Sequence, residues 1–234
     1  MTSTPAAIAV VGAGPGLGAA IARRFGTAGH PVALISRNRA KLDPIAAALR
    51  EEGITVEAFP ADVTDEEGLT AALAAAGGRL GRIGVLSYSP NATWDYTGGQ
   101  MPDPAALGYT SARDTTALSA RTQFAVGVEG ALTAARAVLP AMRGAGDGAL
   151  MFTTGMSAIV PLAMMGNAGI AAAGLRNWAS AVRDDLAEDG IYIGHVCIGL
   201  PIAPGAGDGD PDAIADRWYR LTRSRDTFET TIGF

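Results

Sequence analysis

A cluster of glycines follows the first apolar run of the chain and could bind phosphate groups. The segment Val11–Gly18 reads V-G-A-G-P-G-L-G, between a predicted strand and a predicted helix. Glycine permits a tight turn and lets backbone N–H groups approach a pyrophosphate, while the helix N-terminus adds a partial positive charge. An ordinary glycine-rich turn is the alternative. We predict a phosphate-binding turn made of Gly12, Gly14, Gly16, Leu17 and Gly18.

The residues after the second apolar run indicate which nucleotide such a turn would hold. The run Pro31–Ser36 is followed by Arg37-Asn38-Arg39, and the next carboxylate is Asp43. In dinucleotide-binding folds, a carboxylate at this strand end binds the ribose of NAD, whereas an arginine accommodates the 2′-phosphate of NADP. Ser36 and the guanidinium of Arg37 could hold that phosphate through charge-assisted hydrogen bonds. We expect NADP(H) as cofactor, unless these arginines merely begin a solvated helix.

Apolar runs and helical segments alternate along the chain and would position these groups. Six runs are typical of buried strands, and a helical segment follows each of them. This order predicts an α/β fold: a single doubly wound Rossmann-fold domain over residues 1–234, with a parallel sheet of six to seven strands and helices on both faces. An irregular loop is expected at about 89–116. The strands are predicted at Ala6–Val11, Pro31–Ser36, Thr55–Pro60, Ile83–Tyr88, Ala149–Thr154 and Ile191–Ile198, and the later helices at Ala117–Met142, Ala168–Glu188 and Pro211–Arg223, the last of them exposed.

Composition narrows the possible partners. The 234 residues are 48% hydrophobic and 18% charged, which excludes a disordered chain. A net charge of −5 argues against nucleic acid or an anionic membrane as the main partner. No apolar run approaches the roughly 18 residues of a membrane span, and no basic segment precedes the first run, so we expect a cytoplasmic protein. Cys197 is the single cysteine, and no Cys/His cluster has metal-ligand spacing, so no metal site is predicted.

The chain resembles the short-chain dehydrogenase/reductase family over about residues 6–203. The resemblance rests on Gly12, Gly16 and Gly18 of the glycine turn TGxxxGxG, on the Asp62-Val63 pair where the family meets the adenine, on the spacing at Gly190–Ile193, and on Gly199 of the Pro-Gly motif after the sixth strand. Two positions depart from the family, since Val11 replaces a threonine and Ile198 replaces the proline. The resemblance implies a dinucleotide-dependent oxidoreductase whose cofactor contacts also include Asp62, Val63, Ser89 and Gly199.

The same resemblance reveals four vacated catalytic positions. The family uses an Asn-Ser-Tyr-Lys tetrad, in which tyrosine delivers a proton, lysine lowers the pKa of that tyrosine, serine orients the substrate oxygen and asparagine supports a proton relay. Lys41 is the sole lysine, and no tyrosine lies between Tyr109 and Tyr192, so Tyr-x-x-x-Lys is absent. The patterns Tyr109/Arg113 and Tyr219/Arg223 fall on other segments. The four positions are occupied by Gly127, Gly155, Ala168 and Ala172.

Other side chains could substitute for the tetrad. Weak candidates are Tyr88, Thr154 and Ser157, although a turn, cap or surface role is the alternative for each. His195 alternates with apolar neighbours in a predicted strand, so we expect a core histidine whose hydrogen bonds are satisfied. Apolar residues after the fifth strand could line the nicotinamide end or only pack a helix. Further polar candidates are Asn167, Asp95, Tyr96 and Tyr109, and the apolar set is Met156, Val160, Leu162, Met164 and Met165.

Three functions fit this pattern. The first is an atypical NADP(H)-dependent oxidoreductase acting on a small carbonyl or hydroxyl compound. The second is a catalytically silent pseudo-dehydrogenase that senses a dinucleotide or serves as a partner subunit, and the third is a non-redox lyase or isomerase. Family resemblance and two helices rich in small residues also predict a homodimer or homotetramer.

Overall fold

The strands form one parallel sheet. The computed structural model of the chain describes residues 5–90 and 103–234, and within them seven strands lie in the order β3-β2-β1-β4-β5-β6-β7. Each neighbouring pair is parallel. The strands are β1 (Ala7–Val11), β2 (Val32–Ser36), β3 (Val56–Pro60), β4 (Ile83–Tyr88), β5 (Gly148–Gly155), β6 (Ile191–Ile198) and β7 (Glu229–Ile232).

Helices cover both faces of the sheet, which confirms the predicted doubly wound α/β fold. On one face, buried residues of α3, α5 and α6 pack against the sheet. On the other, α1, α2 and α7 form a second core. Chain order reverses direction between β1 and β4, where this fold binds its ligands. The helices are α1 (Leu17–Thr27), α2 (Arg39–Glu51), α3 (Glu66–Leu80), α4 (Ala117–Phe124), α5 (Gly130–Ala145), α6 (Gly166–Glu188) and α7 (Pro211–Ser224).

The C-terminal region departs from the expectation in two respects. Helix α7 is not merely exposed, because Ile214 and Trp218 are fully buried in the core that it shares with α1. Its polar sequence hides this packing, since the buried positions form only a narrow stripe. Strand β7 follows α7 and pairs with β6, with His195 opposite Glu229. Only four residues long, it was not located by its sequence pattern.

The helix predicted over 117–142 runs on to Ala145 and changes character midway. Residues Ala125–Glu129 form a π-helical turn between α4 and α5. The N–H of Gly130 donates to the carbonyl of Ala125, five residues back. Among the described residues this continuous helix is the one that is long and apolar enough to cross a membrane. Length and composition are weak evidence for a membrane span, since a core helix can have both. Here the inner side of α5 packs on the sheet.

Candidate active site

The glycine turn lies between β1 and α1, at the carboxyl end of the sheet. Gly12 has a φ of +89°, and a Cβ atom there would lie 2.6 Å from the backbone nitrogen of Pro90. A Cβ atom on Gly18 would lie 2.9 Å from Cα of Ala13. In contrast, a Cβ atom on Gly14 or Gly16 would meet nothing within 4 Å. The first pair of glycines therefore permits close packing, while the second borders open space before the N-terminus of α1, a favourable place for phosphate oxygens.

The ends of β2 and β3 bring a cation and a carboxylate together. Ser36 is half-buried, and the exposed Arg37 follows it. Two hydrogen bonds from Thr64 hold the Asp62 carboxylate, 2.9 Å from the backbone N–H and 2.8 Å from the hydroxyl. The backbone bond, then the hydroxyl bond and the positive charge of Arg37, lower the pKa of Asp62 against the opposing effect of burial. Arg37 and Asp62 therefore flank the same end of the crevice.

Arg39 has a different environment from Arg37. It is the first residue of α2 and forms an exposed ion pair with Asp43, one turn along the helix, at 3.4 Å. Arg39 thus fulfils the expectation of a solvated helix start, whereas Arg37 lies before the helix. The two arginines provide a matched pair for testing phosphate recognition.

Two further predicted cofactor residues follow the carboxyl ends of β4 and β6. The N–H of Ser89 donates to the carbonyl of Val11 at 3.0 Å, and the N–H of Gly199 donates to the carbonyl of Ile232 at 2.8 Å. A Cβ atom on Gly199 would lie 2.7 Å from Cε of Met156, so glycine permits the close approach there. Val63 is buried after β3. The predicted cofactor residues are therefore distributed along the carboxyl edge of one sheet.

Three of the four positions that the resemblance assigns to the tetrad lie on or beside the first half of α6, and the fourth ends β5. Ala168 and Ala172 are half-buried, one helical turn apart. A Cβ atom on Gly127 would lie 3.5 Å from Cβ of Ala171, so this position in the π-helical turn faces α6. Gly155 ends β5, and a Cβ atom there would meet only the carbonyl of Ile198, at 3.9 Å. The assignment of these positions stays a prediction, and the space beside Gly155 would admit a larger side chain there.

Tyr88 is placed as a core residue. Its ring is buried, and its hydroxyl donates to the carbonyl of Val126 at 2.6 Å. Burial, and secondarily the negative charge of Asp62, raises the pKa of this phenol far above its usual range. A Cβ atom on Gly130 would lie 2.3 Å from the Tyr88 hydroxyl, so glycine makes room for it. The arrangement makes Tyr88 a link between β4 and the π-helical turn and an unsuitable proton donor.

The other polar candidates divide into structural and unplaced groups. Asn167 is fully buried, accepts from the N–H groups of Thr110 and Ala168 at 2.9 Å each, and donates to the carbonyl of Gly108 at 2.9 Å. Asn167 therefore connects the described part of the irregular loop to α6 through hydrogen bonds. Ser157 is buried beside Gly169. Tyr109 is buried, and Asp95 and Tyr96 lie outside the described residues.

A chain of hydrogen bonds starts at Thr154, the remaining candidate. Its Oγ1 lies 2.8 Å from Nε2 of His195, and Nδ1 of His195 lies 3.1 Å from Oε2 of Glu229. Arg176 donates from Nη2 to Oε1 of Glu229 at 2.9 Å. His195 is fully buried, as expected of a core histidine with both nitrogens paired. The sequence analysis did not identify Glu229 or Arg176. The one feature that could have marked them is the charge that each carries among apolar or β-branched neighbours.

The apolar residues after β5 are unevenly exposed. Val160 is 39% exposed and Met164 is 56% exposed, while Met156, Leu162 and Met165 are half-buried. Their exposure leaves them able to contact a substrate, so the predicted lining stays a prediction. No group of three or more His, Cys, Asp or Glu side chains in the described ranges is arranged to hold a metal ion.

The sheet order and the open glycine turn define a dinucleotide-binding α/β protein of the doubly wound class. A family model described as short chain dehydrogenase matches residues 6–204. The chain belongs to the short-chain dehydrogenase family.

Related sequences and structures extend over most of the chain. 2-(S)-Hydroxypropyl-CoM dehydrogenase 3 of Xanthobacter autotrophicus is 26% identical over 216 residues, 90% of this chain and 79% of that protein. Galactitol 2-dehydrogenase (L-tagatose-forming) of Cereibacter sphaeroides is 35% identical over 66% of this chain and 54% of that protein. A short-chain dehydrogenase from Rhodopseudomonas palustris superposes with a TM-score of 0.81 at 25% identity, covering 97% of both chains. L-Sorbose reductase from Gluconobacter frateurii, solved with NADPH and L-sorbose, superposes with a TM-score of 0.83 at 19% identity. The superposition covers 98% of this chain and 95% of the reductase, and at this identity it shows a similarity of fold.

Proposed function

We propose that the protein is an NADP(H)-dependent oxidoreductase that acts on a small carbonyl or hydroxyl compound without the usual tetrad. The open space beside Gly14 and Gly16, directly before α1, carries the cofactor part of this proposal. Family membership supports the oxidoreductase class, and the relatives named above are dehydrogenases. The exposed Arg37 follows β2, whose own end carries no carboxylate before Asp43, and this supports the choice of the phosphorylated dinucleotide.

The residues of the chain have separate tasks in cofactor binding. Backbone N–H groups at the start of α1 would bind the pyrophosphate, and Ser36 and Arg37 would bind the 2′-phosphate. Asp62 and Val63 would meet the adenine, as the family resemblance implies, while Ser89 and Gly199 would contact the nicotinamide half. When bound, the nicotinamide exchanges a hydride with the substrate carbon. The protein must then manage the proton on the substrate oxygen.

The vacated tetrad makes ordinary proton delivery impossible at its usual positions. Ala168 and Ala172 carry no titratable group, and Gly155 cannot orient an oxygen through a side chain. General acid–base catalysis contributes about 10²–10⁴-fold to rates, so reduction of generic ketones should be slow relative to ordinary family members. This observation favours the second candidate function, a silent dinucleotide-binding protein, as the competing hypothesis.

One set of measurements separates the candidate functions. The ligand carried by the purified protein is identified by mass spectrometry, and NADPH and NADH are titrated by calorimetry. A panel of small aldehydes, ketones and alcohols is then tested for turnover by the nicotinamide absorbance at 340 nm. Binding with turnover supports the oxidoreductase, and binding without turnover supports the silent protein. Turnover of a panel compound without any change in nicotinamide absorbance would point to a lyase or isomerase, and absence of dinucleotide binding would overturn the proposal.

Self-association and localisation are further parts of the proposal. Leu118, Phe124 and Ile170 are large apolar side chains that remain 71%, 37% and 53% exposed on α4 and α6. Burial of such side chains against a second copy would be favourable at about 25 cal/mol per Å². We expect a cytoplasmic homodimer or homotetramer. Light scattering that shows a stable monomer at micromolar concentration would contradict the assembly.

A further inference from the structure

The hydrogen bonds that connect Arg176, Glu229, His195 and Thr154 are directed so that His195 could act as a base. Glu229 accepts two hydrogen bonds from Arg176, and these, aided by the one from His195, keep the pKa of the carboxyl below its ordinary value despite burial. A carboxylate can only accept, so Nδ1 of His195 carries the proton and donates to Glu229. A neutral imidazole then has its lone pair on Nε2, which accepts from the hydroxyl of Thr154 at 2.8 Å. The partners thus assign the tautomer and the direction of both bonds.

The surroundings keep His195 neutral in the resting protein. Burial lowers the pKa of His195, and the hydrogen bond and charge of Glu229 only partly oppose this effect, while the charge of Arg176 reinforces it. Burial also raises the pKa of the neighbouring Cys197 thiol, which donates to the carbonyl of Gly155 at 3.1 Å and adds no charge. Phe228 stacks on the imidazole with ring centroids 6.1 Å apart. A proton acceptor is therefore held in one tautomer and one orientation.

Thr154 connects this acceptor to the vacated centre. It lies at the carboxyl end of β5, is partly exposed, and directly precedes Gly155, which occupies the position of the substrate-orienting serine in the family. We propose that Thr154, His195 and Glu229 form a proton relay that takes the hydroxyl proton of an alcohol substrate in place of the missing Tyr-Lys pair. The relay rests on the proposed function and supplies it with a base.

The reaction balances as an alcohol oxidation. The substrate C–H bond breaks as its hydride passes to oxidised nicotinamide, and the substrate O–H bond breaks as its proton passes to Oγ1 of Thr154. Thr154 gives its own proton to Nε2 of His195, and a C=O bond forms in the product. The alcohol is oxidised and NADP⁺ is reduced. The imidazolium, stabilised by Glu229, returns the proton through Thr154 to water after the product leaves. Thr154 is the catalytic residue in this scheme, while His195 and Glu229 act through it.

Two threonines on β5 allow a matched test with the NADP⁺-loaded protein and the best alcohol of the panel. Thr154→Val removes the hydroxyl at nearly constant volume, and Thr154→Ser keeps it. Thr153→Val is the control, because Thr153 lies on the opposite side of the strand and its buried Oγ1 has no hydrogen-bond partner in the described structure. We expect Thr154→Val to lower kcat/KM by about 10²-fold or more with unchanged NADP⁺ affinity, and Thr154→Ser and Thr153→Val to stay near the parent.

The pH profile distinguishes a relay from a structural role. For the parent, kcat/KM for alcohol oxidation should rise with pH through one ionisation, and Thr154→Val should lose this dependence. Glu229→Gln should move the midpoint to lower pH, because the carboxylate no longer stabilises the imidazolium. Equal losses in Thr154→Val and Thr154→Ser, or a parent-like rate in Thr154→Val, would overturn the relay.

Nitrogen-15 NMR tests the relay independently of turnover. The chain has two histidines, so the imidazole signals of His195 can be assigned with a His30→Gln variant. We expect a neutral Nδ1–H tautomer whose Nε2 signal shifts in Thr154→Val. An Nε2–H tautomer would overturn the relay even if the protein oxidises alcohols. If no panel compound reacts although NADP(H) binds, the proposed function fails; the catalytic assignment of Thr154 is then rejected with it, whatever tautomer NMR reports.

Discussion

The two ends of the crevice differ in what the chain provides. At the glycine turn, close packing at Gly12 and Gly18 adjoins open space at Gly14 and Gly16, and a cation follows β2. At the β5–α6 end, small residues occupy the four positions that the resemblance assigns to the tetrad. A chain can therefore keep the geometry that suits a dinucleotide and lose the side chains that transfer protons. The geometry depends on the shape of the backbone, whereas proton transfer depends on single functional groups.

The largest expected effect comes from introducing the side chains of the family's tetrad at the β5–α6 end of the crevice. Gly155→Ser, Ala168→Tyr and Ala172→Lys together should raise NADPH-dependent reduction of simple ketones by about 10²–10⁴-fold, the usual contribution of general acid catalysis. The added lysine lowers the pKa of the new tyrosine and so brings its proton into use. Initial rates of NADPH oxidation measure the gain.

A control variant places the same side chains on the outer side of α6. Ala173→Tyr with Asn177→Lys keeps the helical spacing, and both positions are exposed. This variant should show no gain. A triple variant that folds, binds NADPH and remains as slow as the parent would contradict the assignment of the four positions.

Disrupting the glycine turn should have the next largest effect. Gly12→Ala forces a Cβ atom against Pro90 and a residue with a side chain into a positive φ. Strain of this kind costs about 1–3 kcal/mol, so we expect a lower melting temperature and at least tenfold weaker NADPH binding. Gly14→Ala meets no protein atom and should preserve the melting temperature. Calorimetry and thermal unfolding measure both; full binding by Gly12→Ala would argue against this turn as the phosphate site.

Cofactor preference offers a smaller and more selective test. Arg37→Ala should weaken the binding of NADPH by roughly 1–3 kcal/mol and leave the binding of NADH nearly unchanged, because only NADPH has the 2′-phosphate. Arg39→Ala is the matched control, since Arg39 pairs with Asp43 on its own helix. Equal affinity of the parent for both dinucleotides would show that Arg37 is only a surface residue.

The smallest expected effect is a pH dependence of stability from His195. Its pKa is lowered in the folded state, chiefly by burial, so the unfolded chain binds a proton more readily as pH falls through the ordinary histidine value of about 6.5. The free energy of unfolding should therefore decrease as pH falls from 8 to 5.5. His195→Gln should show a shallower decrease over the same range in urea titrations. A slope identical to that of the parent would show that His195 is accessible to protons in the folded state.

The sequence predicts the fold and the position of the glycine turn well because both depend on local patterns. Buried parallel strands read as continuous apolar runs, and the turn reads as closely spaced glycines. Strand β7 was missed because its four residues combine Glu229 with two threonines and carry no apolar run. The buried stripe of α7 was missed because only a few of its residues, Trp218 among them, face the core.

The candidate relay was beyond sequence reasoning for a different reason. The sequence predicts His195 in the core and Thr154 at a strand end, and nothing in it connects the two residues. Their contact joins positions 41 residues apart, and Glu229 reaches His195 from a strand 34 residues further on. Such a chain follows from strand register, which places His195 opposite Phe152 and Glu229. Register across neighbouring strands is not a local pattern.

The π-helical turn at Ala125–Glu129 has an evolutionary consequence. A π turn holds one residue more than the α-helix around it, so it can be treated as an insertion that the helix has absorbed. Deleting one residue there would restore α-helical hydrogen bonding and leave α5 on the same face of the sheet, because the wider turn takes up the extra residue locally. The deletion would, however, change the turn that presents the carbonyl of Val126 to the Tyr88 hydroxyl. The length of the turn is therefore coupled to Tyr88, so a descendant chain that loses the extra residue must also satisfy this buried hydroxyl in another way.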